Sequence, residues 1–208
     1  EGKLPNKKVK EGLLPNGWEM VNMSTGIEKP KYGTSKKCDY GIDGIGVLRI
    51  PNISKGTVDS SDLKFAKFDS KEIETYSLIK GDILTIRSNG SVDLVGKCAL
   101  ISEKDQGYLY AGYLIRLRPI MSKINPKYLI NILSSVDLRN QIEDKAKSTS
   151  GVNNINSEEL STLTIQLSPI EEQHKIVEEI ESRLSVADKM EESINQSLQQ
   201  AESLRKKK

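Results

Sequence analysis

Two polar segments carry the side chains best suited to gripping a polar ligand. Arg87-Ser88-Asn89-Gly90-Ser91 follows a β-type apolar run and ends in a glycine turn, so it presents a forked guanidinium donor, an amide and hydroxyls at a loop tip. Ser148-Thr149-Ser150-Gly151-Val152-Asn153-Asn154 offers three hydroxyls and two amides, the small groups that reach base edges and phosphates. Taken singly, each segment also fits an ordinary turn. Arginine can donate two parallel hydrogen bonds to guanine and asparagine can pair bidentately with adenine, which makes Arg87 and Asn89 candidate base readers. Lys29, Lys31 and Lys97 are candidates to face phosphates, where a cation favours all sequences alike. Tyr32, Arg49, Ser88, Ser91, Ser148, Thr149, Asn153 and Asn154 complete the candidate binding set.

Catalytic constellations are harder to assemble. Cys38 and Cys98 lie far apart, match no zinc-ligand or Cys-x-x-Cys spacing, and have a single histidine, His174, to accompany them. They read as two reduced thiols, and no metal site is expected. His174 has no nucleophile near it in sequence and belongs to a helix, which favours a solvated histidine. A nuclease would need clustered acids to hold a metal, and no acidic pair followed by Glu-x-Lys occurs on a strand-like segment. Asn125-Pro126-Lys127-Tyr128 is similar to the Asn-Pro-Pro-aromatic motif of adenine methyltransferases, but lysine replaces the second proline. No glycine-rich strand-to-helix turn for a nucleotide cofactor accompanies it, and Asn-Pro is a common helix opening.

Hydrophobic residues make up 36% of the 208-residue chain and charged residues 29%, which describes a globular domain with a strongly solvated part rather than a disordered chain. The formal net charge of +2 is too small to argue for nucleic-acid binding by itself. Lysines do cluster, at Lys7, Lys8 and Lys10, at Lys29 and Lys31, at Lys36 and Lys37, and at Lys206 to Lys208. No charged-then-apolar leader opens the sequence, and no apolar run approaches the roughly 18 residues needed to span a bilayer. The expectation is a cytoplasmic protein without membrane attachment.

The elements that must position these residues follow an α+β pattern. Residues 1–16, rich in glycine, proline and lysine, are expected to be a linker. A recognition domain is expected over 17–167. Its β-rich stretches Val47–Ile53, Asp82–Arg87 and Tyr108–Leu117, punctuated by glycines, imply a twisted, mostly antiparallel sheet. Over 125–147 the spacing of Tyr128, Leu129, Ile132, Leu133, Val136 and Ile142 predicts one or two helices opened by Asn125-Pro126. Leu163–Leu167 reads as a closing strand.

Ser168-Pro169-Ile170-Glu171 then places a hydroxyl at the N-cap, proline at N1 and glutamate at N3 of a long helix spanning 168–208. Its apolar residues fall at Val177, Ile180, Leu184, Ala187, Ile194, Leu198 and Ala201, a three-four alternation interrupted by Glu191. The helix is longer than its own domain needs for packing, so the seam is expected to pair with another helix. The alternative is an amphipathic helix lying on its own domain, because Ile176, Met190 and Leu204 widen the apolar face.

Several phrases in order give the chain a resemblance to the specificity subunits of type I restriction-modification enzymes, over almost its whole length. They are Leu14-Pro-Asn-Gly-Trp-Glu19, Arg49-Ile-Pro-Asn-Ile53, Gly81-Asp-Ile-Leu84 with Arg87–Ser91, Thr149–Asn154, and Leu167-Ser-Pro-Ile-Glu-Glu-Gln173. Members of that family carry two target recognition domains, each followed by a spacer helix. One of each here implies half a subunit, either a C-terminal fragment or a natural half-subunit.

The resemblance implies a non-catalytic DNA-binding subunit whose loops enter the major groove of double-stranded DNA. Paired helices would set the distance between half-sites. It also implies modification (methyltransferase) subunits that bring S-adenosylmethionine, and motor-nuclease restriction subunits that use ATP and magnesium, with no cofactor on this chain. Isolated, the chain is expected to form an antiparallel homodimer. The alternatives are the specificity region of a single-chain restriction-methylase enzyme, or a helix-mediated interaction module that does not bind DNA.

Overall fold

The computed structural model describes residues 14–54, 56–146 and 151–205, with side chains as far as residue 200. Its centre is a four-stranded antiparallel sheet in the order β2 (Lys31–Tyr32), β9 (Leu114–Leu117), β5 (Ile83–Ile86), β7 (Cys98–Leu100). β5 and β9 are buried along their whole length. Period-two alternation therefore sends apolar side chains to both faces. Ile83, Ile115, Leu117 and Cys98 face a core completed by helices α3 (Pro126–Leu133) and α4 (Val136–Ala146). Leu84, Ile86, Leu114 and Ala99 face a second core with Leu48, Ile53, Leu78 and Tyr110.

The second core is roofed by a three-stranded sheet in the order β4 (Lys64–Ala66), β3 (Ile45–Leu48), β8 (Leu109–Tyr110). β3 and β8 run parallel, so the domain is mostly but not wholly antiparallel. The chain's entry and exit meet in a ribbon of β1 (Glu19–Asn22) and β11 (Thr164–Leu167). Gly17, at φ +82°, makes the turn into β1, and a Cβ there would lie 3.2 Å from the Pro169 ring. The phrases that open and close the domain in sequence are therefore packed on each other.

Local signals account for most helix starts. Asn125 caps α3 by accepting from the amides of Lys127 and Tyr128, with Pro126 in the first turn where no amide is needed. Two strand expectations need correction. The run Val47–Ile53 is not one strand, because β3 stops at Leu48 and Ile50–Ile53 form a helical turn, α1. The Asn52 side chain takes the amide of Arg49 at 2.8 Å and Pro51 has no amide to give a ladder. The run Tyr108–Leu117 divides into β8 and β9 around Gly112, whose amide donates to Thr34.

A helix was also missed within the β-rich region. α2 (Ser70–Tyr76) is opened by Asp69, which accepts from the amide of Glu72 while Glu72 accepts from the amide of Asp69. That reciprocal box was legible as Asp-x-x-Glu.

α5 (Ser157–Ser161) follows the polar loop, and α6 (Ile170–Arg205) follows β11. The amide of Gln173 donates to the carbonyl of Pro169, so proline rather than Ser168 occupies the cap position. The Ser168 hydroxyl is buried and caps no amide. α6 has 36 residues, about 54 Å at about 1.5 Å per residue. Its first turns dock on α3: Val177 is buried in the domain core with Ile176 packed against it. Val177 therefore belongs to the domain and not to a free seam. From Glu181 to Gln200 every residue is exposed.

Candidate nucleic-acid interface

The two polar segments singled out in the sequence are brought together as neighbouring strands. β6 (Ser88–Asn89) pairs antiparallel with β10 (Asn153–Asn154), with Ser88 opposite Asn154 and Asn89 opposite Asn153. The ladder is extended by the Ile155 amide, which donates to the carbonyl of Arg87 at 2.8 Å. The ribbon grows from the end of β5, at the same end of the sheet where β2 ends and β9 begins.

Arg87 is the hub of this end. Its backbone amide donates to the carbonyl of Tyr113 at 3.0 Å. Its Nε donates to the carbonyl of Gly112 at 2.8 Å and its Nη1 to Oδ1 of Asn154 at 3.1 Å. The guanidinium lies 5.0 Å from the centre of the Tyr32 ring, a cation–π contact. Tyr32 is held in turn by its hydroxyl, which accepts from the amide of Ser157 at 3.0 Å. Arg87 therefore does not present a free fork, since two of its three nitrogens are engaged inside the fold. Nη2 is the one without an internal partner among the described residues.

The tip of the ribbon is tied in the same manner. Oδ1 of Asn89 accepts from the amide of Ser91 at 2.9 Å, and Nδ2 of Asn153 donates to the carbonyl of Gly90 at 3.1 Å. A bidentate adenine contact needs both the oxygen and the nitrogen of an amide. Asn89 has its oxygen occupied. Ser148 and Thr149 lie outside the described residues.

The remaining candidates are more dispersed. Lys29 and Lys31 are exposed on the segment that leads into and forms β2, and Lys31 pairs across from Arg116. Lys97 is exposed opposite the end of β5, where its carbonyl accepts from the amide of Ile86 at 2.9 Å, and it lines a concavity with Ser54, Ser134 and Arg139. Among the described residues none of these three lysines is in an ion pair.

Arg49 lies elsewhere, half-buried and committed to another partner. Its Nη2 donates to the carbonyl and carboxylate of Asp62 at 2.9 and 3.1 Å. The Tyr40 hydroxyl, donating at 2.7 Å, and then Arg49 hold the Asp62 carboxyl below its usual range. Sequence reasoning missed Tyr113, an exposed aromatic beside Arg87, and the Gly112 carbonyl that orients it. The only signal was a glycine inside a β-type run.

What the arrangement can do chemically is bind a polar, electron-rich surface. Exposed lysines, a guanidinium, amides and hydroxyls supply donors. Among the described residues no group of three His, Cys, Asp or Glu side chains is gathered to hold a metal. No described helix is long and apolar enough to cross a membrane.

Comparison with known proteins places this architecture. The type I restriction enzyme EcoKI specificity subunit of Escherichia coli K12 is 30% identical over 204 residues, covering 98% of this chain and 44% of the relative. The StySPI specificity subunit of Salmonella potsdam is 31% identical over 190 residues, covering 90% and 41%. The chain thus spans less than half the length of these curated relatives. The crystal structure of the HsdS subunit from Thermoanaerobacter tengcongensis shares the fold with a TM-score of 0.66 at 18% identity, covering 87% of this chain and 45% of that one. The model of the type I restriction modification DNA specificity domain matches residues 17–200, and the chain belongs to that family.

Proposed function

We propose that this chain is a sequence-specific DNA recognition module of a type I restriction-modification system. It holds double-stranded DNA through the surface around Arg87 and carries a partner-pairing helix, α6. The observation that carries this reading is the convergence of Tyr32, Arg87, Ser88, Asn89, Asn153 and Asn154 at one end of the central sheet, from three stretches distant in sequence. Convergent donors on a rigid sheet end suit a ligand that is all oxygen acceptors at its backbone and mixed donors and acceptors at its base edges. Lys29, Lys31 and Lys97 add cations that neutralise phosphates.

On this reading the chain performs no chemistry itself. Methyl transfer belongs to modification subunits with S-adenosylmethionine, and cleavage to ATP- and magnesium-using restriction subunits, all docked in the cytoplasm on a scaffold that includes α6.

The test is selection of a randomised duplex library by the purified chain at two salt concentrations. A defined sequence is expected to enrich. Lys31→Ala is expected to weaken binding to all duplexes alike, lowering the slope of log affinity against log salt by about 1. Failure of the unaltered chain to enrich any sequence would remove the reading.

A further inference from the structure

Arg87 and Asn89 look in the sequence like side chains that read bases, and their bonding in the fold points another way. A guanidinium can only donate, so the Asn154 atom that meets Nη1 of Arg87 is necessarily the amide oxygen. Nδ2 of Asn154 is then turned away from Arg87 with two N–H groups, and among the described residues it donates to nothing. Ser88 stands directly across the ladder from Asn154, and directly opposed residues of an antiparallel pair share a face. Its hydroxyl is a second donor group on that face. Nη2 of Arg87 is a third and brings the positive charge.

Asn89 and Asn153 form the other opposed pair, and their amides are consumed in tying the hairpin tip. On the face carrying Asn154, the Asn154 oxygen is already engaged and the guanidinium has no acceptor, so what remains is N–H donors and the Ser88 hydroxyl, which can turn to donate. A base edge in the major groove alternates donors and acceptors, whereas a phosphodiester presents acceptors alone.

We propose that Arg87, Ser88 and Asn154 form a binding site for one backbone phosphate of the DNA. In it Asn154 Nδ2, Arg87 Nη2 and the Ser88 hydroxyl donate to the phosphate oxygens. Arg87 also acts as a positioning residue, through Nε on the Gly112 carbonyl, Nη1 on Asn154 and its stack on Tyr32. The site is prearranged, since these three side chains are half-buried, Arg87 already holds Asn154, and the ladder fixes Ser88 opposite Asn154. It rests on the DNA-binding reading above and assigns this cluster to holding the duplex, leaving the discrimination of bases to other side chains.

The experiment uses the full chain and the duplex it selects from the randomised library. Asn154→Asp keeps the oxygen that Arg87 needs and replaces the two donors with an acceptor, so the fold is retained. Ser88→Ala removes one donor with no change of charge. Both variants are expected to bind every duplex more weakly, by about tenfold to a hundredfold for Asn154→Asp, with the enriched sequence unchanged.

A series of duplexes, each with one methylphosphonate linkage, then locates the contact. At one linkage the unaltered chain is expected to lose about tenfold and Asn154→Asp to lose far less. Arg87→Lys, which keeps the charge but cannot make the three-way contact, is expected to lose the same position-specific response. A change of preferred base in Asn154→Asp or Ser88→Ala would overturn the assignment, as would equal losses by Asn154→Asp and the unaltered chain at every linkage. Absence of any enriched sequence with the unaltered chain would instead remove the DNA-binding reading beneath it.

Discussion

Cys98 illustrates how a buried core residue sets a condition on the domain. Its thiol, on β7 inside the core, donates to the carbonyl of Gly96 at 3.1 Å, and burial pushes its pKa from the ordinary 9.0 up to about 11. The charged form is the one the core disfavours. The folded chain therefore keeps the proton to higher pH than the unfolded chain does. The stabilising contribution is fully present below about pH 9 and is lost as the pH rises through about 11. Two units correspond to roughly 2–3 kcal/mol. Tyr110, pushed by burial from 10.0 up to about 12, acts in the same sense. Unfolding by urea at pH 8 and pH 10.5 is expected to show the decline, and Cys98→Ala should flatten part of it. An unchanged pH slope in that variant would show that the thiol is not the group responsible.

At the scale of elements, the decisive joint is the one between the domain and α6. Gln173 is fully buried there, accepting from the amide of Asn125 at 2.8 Å through Oε1. Its Nε2 donates to the carbonyls of Lys123 at 3.0 Å and Ser168 at 2.8 Å. One side chain thus joins the start of α6 to the start of α3, and a bond between Lys127 and Glu181 adds a second tie two turns further on. Gln173→Leu would take the partner from three backbone groups of this joint, the Asn125 amide and the Lys123 and Ser168 carbonyls. The expected cost is about 3 kcal/mol, at roughly 1 kcal/mol for each bond lost, read as a lower urea midpoint at unchanged slope. A loss below about 1 kcal/mol would mean that water or a shifted helix replaces the contacts. The Leu167–Gln173 phrase was legible as a helix start, but its glutamine carried no local sign of this role. A side chain that bonds to residues 48 and 50 positions away in sequence has no periodicity to announce it.

The whole molecule is a domain with a helix projecting from it. Beyond Ile180 the apolar seam faces solvent, with Leu184 56%, Ile194 60% and Leu198 58% exposed. Val186 and Met190 are also exposed and widen the apolar face. Exposed apolar side chains at helical spacing over several turns favour a partner helix. A second copy running antiparallel would cover the seam twice with the same surface and place two recognition domains at opposite ends. Sedimentation of the purified chain is expected to show a dimer, and Leu184→Asp with Leu198→Asp is expected to give monomers. Both positions lie beyond the residues that pack on the domain, so the fold should survive the change. A double variant that stayed dimeric would place the contact elsewhere.

What the sequence determined by itself was the local grammar. The Asn125-Pro126 opening of α3, the strand ending at Ile86, the closing strand before Ser168 and the long α6 all follow from caps, alternation and helical spacing within a few residues. The polar character of Arg87–Ser91 and Ser148–Asn154 was equally plain. Tertiary structure alone decided that these two segments are strands of one ribbon, because the Arg87–Asn154 bond joins residues 67 positions apart. It decided that Arg87 is held by a carbonyl, an amide oxygen and an aromatic ring, which removes the free fork its residue type suggested. It also decided that Val177 packs inward while Leu184 does not. Both are apolar at the same helical spacing, and the difference is that only Val177 lies over the domain core. Periodicity reports that a face is apolar, and the packing of distant elements determines what covers it.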